Sequence, residues 1–170
     1  GTVDNTGGGI TFSGNSALSG ASTVTYNNIT ISGVLIAHTN AMQVGGNWVN
    51  NGTFSNAGGT VEFVGNTPIA GSSASSFENI SIAGTLTAPG GTMNVAGNWI
   101  NNGVFSNNTG TINFNGASVI GGLSDSVFHH VAIAAGAGLT APTGTLYVAG
   151  NWNNSAGGTR PLNGLMDDVR

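Results

Sequence analysis

The chain repeats one motif around tryptophan at a long and nearly constant interval. Residues 46–54 read Gly-Asn-Trp-Val-Asn-Asn-Gly-Thr-Phe, and residues 97–105 read Gly-Asn-Trp-Ile-Asn-Asn-Gly-Val-Phe. A third, degenerate copy begins at Gly150. The three tryptophans, Trp48, Trp99 and Trp152, therefore stand 51 and 53 residues apart. A fixed period of this length predicts a stacked-repeat architecture rather than an ordinary globular domain.

Superposition of the three copies brings nearly all the aromatic residues into columns. The tryptophans form one column, and the others are Phe12, Phe63 and Phe114; Tyr26, Phe77 and Phe128; and Phe54 with Phe105. We expect these rings to form the structural core, because each buries a large apolar area. The columns are expected to be layers of one continuous hydrophobic spine.

Short segments with period-two alternation predict half-buried strands. In the middle copy we expect six of them, at 60–63, 68–70, 79–82, 85–88, 93–95 and 104–105. The residues expected to face inward are Val61, Phe63, Ile80 and Ile82, and those expected to face outward are Glu62 and Ser81. No segment carries a sustained helical pattern, so the predicted fold class is all-β.

These features predict a parallel β-helix, or β-solenoid, that is right-handed by the sterics of parallel crossovers. It comprises three imperfect repeats of about 51 residues over 1–158, and 159–170 form a non-repeat tail. Three strands per coil give two coils of about 25 residues per repeat, with Val61 over Leu86 over Ile112. A coil of two strands would contain about 17 residues. Equivalent strands would then be unevenly spaced along the sequence, which favours the longer coil. A two-residue insertion within 134–137 should widen one corner.

Composition limits the chemistry that the chain can carry. Only 5% of residues are charged, the net charge is −4, and cysteine is absent. The only basic residues, Arg160 and Arg170, cannot neutralise a row of phosphates, so nucleic-acid binding is not expected. No apolar run approaches the roughly 20 residues of a membrane span. A surface rich in Asn, Ser, Thr and Gly is typical of secreted bacterial repeat proteins, and we expect an extracellular or cell-surface location.

The acidic residues do not form a recurring set. Glu62 is replaced by Thr11 and Asn113 in the other copies, and Glu78 by Asn27 and His129. Glycoside hydrolysis needs two carboxyl groups held about 5–9.5 Å apart, and nothing in the repeat fixes such a pair. A polysaccharide-active enzyme is therefore disfavoured, and we expect no catalytic residues and no cofactor.

No metal site or ordered threonine array is expected either. Adjacent strand residues point to opposite faces, so His129 and His130 should not bind one ion together with His38, and we expect surface or corner histidines. Asp167 and Asp168 carry oxygen ligands suited to calcium, but no acid recurs in each turn. Ice binding is disfavoured because Thr23, Thr25, Thr85 and Thr87 do not repeat on every coil. Sequons at Asn28, Asn51, Asn79 and Asn107 are interpreted as asparagines that hydrogen-bond from coil to coil.

The tryptophan motif is followed by Gly-Thr-Val-x-Phe-x-Gly and then by Phe-x-Asn-Ile-x-Ile. This order resembles the long repeat arrays of large secreted bacterial surface proteins predicted to form β-helices, and it covers about residues 8 to 158. The resemblance implies architecture, while such arrays serve as stalks, adhesins or fibres. Residues 162–170 resemble the last strand of laminin-G and concanavalin-like domains, without the jelly roll that precedes it there.

A solenoid without polar caps exposes unpaired strand edges that recruit another chain. No capping segment is evident at either end, so we expect a structural protein whose copies associate head to tail into a fibre or surface layer. The tail is expected to bridge neighbours through Arg160, Leu162, Leu165, Met166 and Val169. The alternative is a stalk or adhesin module whose lateral face binds glycans or host surfaces.

Overall fold

The computed structural model describes residues 5, 7–20, 23–56 and 58–157. These residues form short β-strands and no helix. The strands are β1 (Gly9–Phe12), β2 (Asn15–Ala17), β3 (Val24–Tyr26), β4 (Asn28–Ile31), β5 (Val34–Ile36), β6 (Ala41–Val44), β7 (Trp48–Asn50), β8 (Thr53–Ser55), β9 (Thr60–Phe63), β10 (Asn66–Ala70), β11 (Ser75–Phe77), β12 (Asn79–Ile82), β13 (Thr85–Thr87), β14 (Thr92–Val95), β15 (Trp99–Asn101), β16 (Val104–Ser106), β17 (Thr111–Phe114), β18 (Ala117–Gly121), β19 (Val127–Phe128), β20 (His130–Ile133), β21 (Gly138–Thr140), β22 (Tyr147–Val148) and β23 (Trp152–Asn154).

The described strands wind into a parallel β-solenoid of about eight coils with three strands per coil. The first face carries β1-β4-β7-β10-β13-β16 and then β19-β22. The second carries β2-β5-β8 and then β11-β14-β17-β20-β23, with β11 in contact with β8. The third carries β3-β6-β9-β12-β15-β18-β21. The predicted all-β parallel solenoid is confirmed.

The coil is shorter than the favoured prediction. Paired residues on neighbouring coils are commonly 19 positions apart, as in Thr60↔Asn79, and the spacing ranges from 18 in Val24↔Met42 to 21 in Trp99↔Ile120. Coils of 25 residues are therefore wrong, and so are coils of 17. Val61 stacks between Met42 and Ile80, not under Leu86. Three strands per coil is correct, but the coil contains fewer residues because a repeat contains more strands than predicted.

The first two sequence repeats each hold eight strands rather than six, and the third holds seven within the described residues. In the middle copy the two unpredicted strands are β11 and β15. Eight strands at three per coil make two and two-thirds coils, so equivalent residues advance by one third of a turn between copies. Accordingly Trp48 lies on the first face, Trp99 on the third and Trp152 on the second. The aromatic columns of the alignment are therefore not stacks along the solenoid axis.

One apolar core runs between the three faces. Val61, Phe63, Ile80 and Ile82 are buried while Glu62 and Ser81 are partly exposed, which confirms the predicted alternation. The buried aromatic residues are Trp48, Trp99, Phe63, Phe77, Phe114, Phe128, Tyr26 and Phe54. Phe12, Phe105 and Trp152 are half-buried against the same core. Burial raises the pKa of the Tyr26 hydroxyl, because it disfavours the charged phenolate.

The insertion in the third copy is absorbed at a corner, as predicted. Ala117 pairs with Gly138 across 21 residues, whereas the equivalent pair Asn66↔Thr85 spans 19. The wider corner is closed by a hydrogen bond of 3.1 Å from the Ala137 N–H to the Ala134 carbonyl. The strands on either side keep their parallel pairing.

Candidate functional site

The aromatic residues of the first two tryptophan motifs pack inside the solenoid. Trp48 and Trp99 are completely buried. Their indole N–H groups donate to Ser75 Oγ at 2.9 Å and to Ser126 Oγ at 3.0 Å, each 27 residues later. The phenylalanine that closes each motif packs edge-on against the indole, with ring centroids 4.7 and 4.8 Å apart. The two indoles therefore belong to the core and present no surface to a ligand.

The first asparagine after the tryptophan is also buried and hydrogen-bonded within the solenoid. Asn101 is completely buried. Its Nδ2 donates to the Asp125 carbonyl at 2.8 Å and to Ser126 Oγ at 3.2 Å, and its Oδ1 accepts from the Gly103 N–H at 3.2 Å. Asn50 makes the corresponding bonds to the Ala74 carbonyl and the Gly52 N–H. This amide therefore fixes both its own corner and the corner of the next coil.

Other asparagines link coils through the backbone, as the coil-to-coil interpretation predicts. Asn28 Oδ1 accepts from the Asn47 N–H, and Asn79 Oδ1 accepts from the Asn98 N–H, both at 2.9 Å. Asn51 Oδ1 accepts from the Ser72 N–H, and Asn107 Nδ2 donates to the Val127 carbonyl. The repeat motif therefore serves the fold itself.

Replacing Asn101 with alanine should destabilise the protein by about 2 kcal/mol or more, since buried donors and acceptors would lose their partner. The neighbouring Asn102→Ala is the matched control. Asn102 is exposed and its Oδ1 accepts only from the Leu123 N–H, where water can substitute, so we expect a cost below about 1 kcal/mol. Urea unfolding followed by circular dichroism measures both, and equal losses would contradict this assignment.

The structure does not bring the two glutamates of the middle copy together. Glu62 lies in an outward ladder in which Gln43 Nε2 donates to Glu62 Oε2 at 2.8 Å, while Thr25 Oγ1 donates to Gln43 Oε1 at 2.7 Å. On the next coil Glu62 is paired with Ser81, three residues beyond Glu78. Glu62 and Glu78 are therefore offset by about 10 Å along the strand direction.

The histidine pair begins at a corner, as expected, but its two rings do not point to opposite faces. The rings of His129 and His130 lie side by side with centroids 4.2 Å apart, because His129 precedes β20 at a corner. The opposite-face argument was therefore wrong for this pair. His130 Nδ1 accepts from the Asn151 N–H at 2.7 Å and replaces the asparagine of the other copies. His38 is buried about five coils away, roughly 24 Å along the axis. Within the described ranges, no three His, Cys, Asp or Glu side chains form a group suited to a metal.

A shallow cleft of about 210 Å³ lies between the corners at 120–126 and 142–146. Asp125 is the only ionisable residue of its lining, which contains no aromatic ring. The hydroxyl of Ser126 already bonds to Trp99 and Asn101. Leu123 projects into solvent with 94% of its surface exposed. Asp125 therefore has no second ionisable group beside it in the lining of the cleft.

The two ends of the described solenoid differ most from its interior. Leu146, Val148 and Trp152 are half-buried at one end, whereas their equivalents Met93, Val95 and Trp99 are completely buried. At the other end the half-buried residues are Ile10, Phe12 and Leu18, and their equivalents Ile112, Phe114 and Ile120 are at most 4% exposed. Within the described residues, no strand pairs with the outer edges of β1, β2, β22 or β23.

No protein-family model matches the chain, and no curated protein or solved structure matches it. No helix in the described part of the chain is long and apolar enough to cross a membrane. The predicted assembly tail, with Arg160, Leu162, Leu165, Met166 and Val169, lies outside the described residues, as does the laminin-G-like segment at 162–170. The two ends of the solenoid are therefore the candidate functional surfaces.

Proposed function

We propose that this protein is a structural subunit whose copies associate end to end into a fibre or surface layer. The observation that supports it is the pair of ends, where half-buried apolar side chains lie beside strand edges without partners in the described chain. Such edges are templates for pairing with a further strand. The proposed partner is a second copy of the chain.

The two ends are different surfaces, so their contact is heterologous. Heterologous contacts that do not close into a ring build open filaments. Because each coil advances by about 4.8 Å, stacking along the solenoid axis would lengthen the rod without widening it. The low charge supports an extracellular setting, since the only basic residues, Arg160 and Arg170, leave trypsin-like proteases few cleavage sites.

Light scattering over a concentration series and negative-stain microscopy test the proposal. We expect the mean particle mass to rise with protein concentration and the images to contain rods of constant width and increasing length. A particle that remains monomeric at high concentration would exclude the fibre. A monomer that instead binds on a glycan array would support the stalk or adhesin alternative.

A pair of lysine variants makes this test specific to the ends. Val148→Lys places a charge among the half-buried apolar residues at one end, and we expect it to abolish rod growth because an inward charge blocks edge pairing. Val119→Lys introduces the same charge on the lateral surface, where Val119 is 42% exposed, and rod growth should continue. Loss of assembly in both variants would show that charge, rather than position, is responsible.

A further inference from the structure

We infer that the second copy docks as an uninterrupted continuation of the solenoid, with its β1 over β22 and its β2 over β23, and without rotation about the axis. This inference rests on the proposed end-to-end assembly and specifies its geometry. If it is correct, the strand count, the side-chain pairs and the backbone contacts at the junction match those between two neighbouring coils within the chain.

The strand count fixes the rotation. One sequence repeat of eight strands ends one third of a turn out of phase with its start, because each coil has three strands. The three repeats begin with β1 on the first face, β9 on the third and β17 on the second, and the described residues end with β22 and β23 on the first and second faces. A fourth repeat would therefore begin on the face where β1 begins. A second copy placed in that position keeps the orientation of the first.

The apolar side chains at the two ends fit this register. Within the chain, Met93 pairs with Ile112 and Val95 pairs with Phe114. At the junction the equivalent pairs are Leu146 with Ile10 and Val148 with Phe12 of the next copy. On the second face, the pair Trp99↔Ile120 becomes Trp152 with Leu18 of the next copy. All six residues are half-buried in the single chain and would be covered in the assembly.

Glycines of the first copy provide independent support. A Cβ on Gly65 would meet the carbonyl of Gly45 on the coil below, and a Cβ on Gly116 would meet that of Ala96. Gly14 is their equivalent, yet a Cβ there would meet nothing within 4 Å. In the inferred register the Ala149 carbonyl of the other copy takes the place of the missing neighbour.

The same relation holds at a second corner. Gly71 and Gly122 lie directly above the carbonyls of Asn50 and Asn101, whereas a Cβ on the equivalent Gly20 meets nothing within 4 Å. The junction would place the Asn154 carbonyl beneath Gly20. Because Gly20 also has a φ of 124°, which by itself favours glycine, this corner is compatible with the register, while Gly14 carries the argument for it.

One internal bond is not reproduced at the junction. Val24 occupies the position of Ser75 and Ser126, which accept the indole N–H of the preceding tryptophan. The indole of Trp152 would therefore find no hydroxyl at that position. This difference makes the junction weaker than an internal coil contact. The register is inferred from the first and second faces, because residues one coil beyond β21 lie outside the described chain.

Cysteine cross-linking tests the register, and the chain has no native cysteine to interfere. The outward pair Asn94↔Asn113 predicts that Tyr147 lies beside Thr11 of the next copy. Neighbouring strands are about 4.8 Å apart, within the Cα separation that a disulfide spans. We expect Thr11→Cys and Tyr147→Cys chains, mixed and oxidised, to form disulfide-linked heterodimers.

Two rotated controls separate this inference from the proposed function. Asn153→Cys on β23 and Thr140→Cys on β21 would cross-link to Thr11→Cys if the next copy were turned by one third in either direction. Rods with either rotated cross-link, or rods with none of the three, would overturn the register while leaving end-to-end assembly in place. Absence of rods from all mixtures would instead remove the proposed function.

Gly14→Ala is a second and independent test. Because a Cβ at this position meets nothing in the single chain, the thermal unfolding of the dilute protein should be unchanged. In the inferred register the methyl group would clash with the Ala149 carbonyl, and we expect the concentration for half-maximal assembly to rise about tenfold or more. Unchanged assembly by this variant would contradict the register.

Discussion

Replacing Trp99 with alanine is expected to lower the free energy of unfolding by about 3–5 kcal/mol, the range for deletion of a large buried aromatic side chain. Trp99 is completely buried, and its ring packs against Phe105 and Phe128 with centroids 4.8 and 5.2 Å away. Its indole N–H also satisfies Ser126 Oγ in the next coil. The cavity would lie in the middle of the rod, where no terminal fraying can relieve it. Urea unfolding monitored by circular dichroism measures the loss.

The third tryptophan supplies the matched control. Trp152 occupies the same motif position but is only half-buried on the last described strand. Trp152→Ala should therefore cost the dilute protein about 1 kcal/mol, in proportion to the smaller apolar area it buries. Under assembling conditions the order of the two effects should be reversed, with Trp152→Ala the more damaging variant, because Trp152 lies at the proposed junction. Equal destabilisation of the dilute protein by the two variants would contradict the distinction between interior and end.

Period-two alternation was sufficient to predict the fold class. In segments such as 60–63 and 79–82 the inward residues are aliphatic or aromatic and the outward ones are polar, so the pattern identifies both strand and face. Glycines such as Gly65, Gly71 and Gly84 separate these segments and mark the corners between them. What alternation could not supply was the number of strands in a repeat.

The two missed strands explain the wrong coil length. Both β11 and β15 are only three residues long, and β11 begins with two serines while β15 ends at Asn101, which Asn102 and Gly103 follow. Ser, Asn and Gly normally indicate turns. In the structure Ser75 and Asn101 point inward and are buried because each hydrogen-bonds within the core. Their burial depends on partners 24 to 27 residues away, and local sequence carries no sign of them.

A signal for the correct coil length was nevertheless present in the glycines. Those at 14, 33 and 52 recur every 19 residues, and so do those at 65, 84 and 103. All of them except Gly14 stack closely on a glycine of the coil below. The 51-residue period concealed this shorter one because it does not contain a whole number of coils. The absence of caps stays a prediction from sequence, and the register of the ends could not be derived before the strand count was known.

Replacing Gly65 with alanine is expected to destabilise the protein by about 2–3 kcal/mol or more, the cost of forcing extra volume into a packed site. The corner at Gly65 follows β9, and its backbone passes directly over the carbonyl of Gly45, so that a Cβ would meet backbone atoms on the coil below. Backbone held in the parallel ladders on both sides cannot move aside as a flexible side chain would. Thermal and urea unfolding of the dilute protein measure the effect.

Gly14→Ala is the control, because Gly14 holds the same repeat position without a described coil beneath it. A Gly→Ala change at an unstrained site generally alters stability by less than about 1 kcal/mol, and Gly14 does not have positive φ. A large effect at Gly65 with none at Gly14 would identify coil-to-coil contact as the reason for glycine at this corner. Similar, small effects at both positions would mean that the coils can separate locally to admit a methyl group, and the clash expected at the junction would then lose its physical basis.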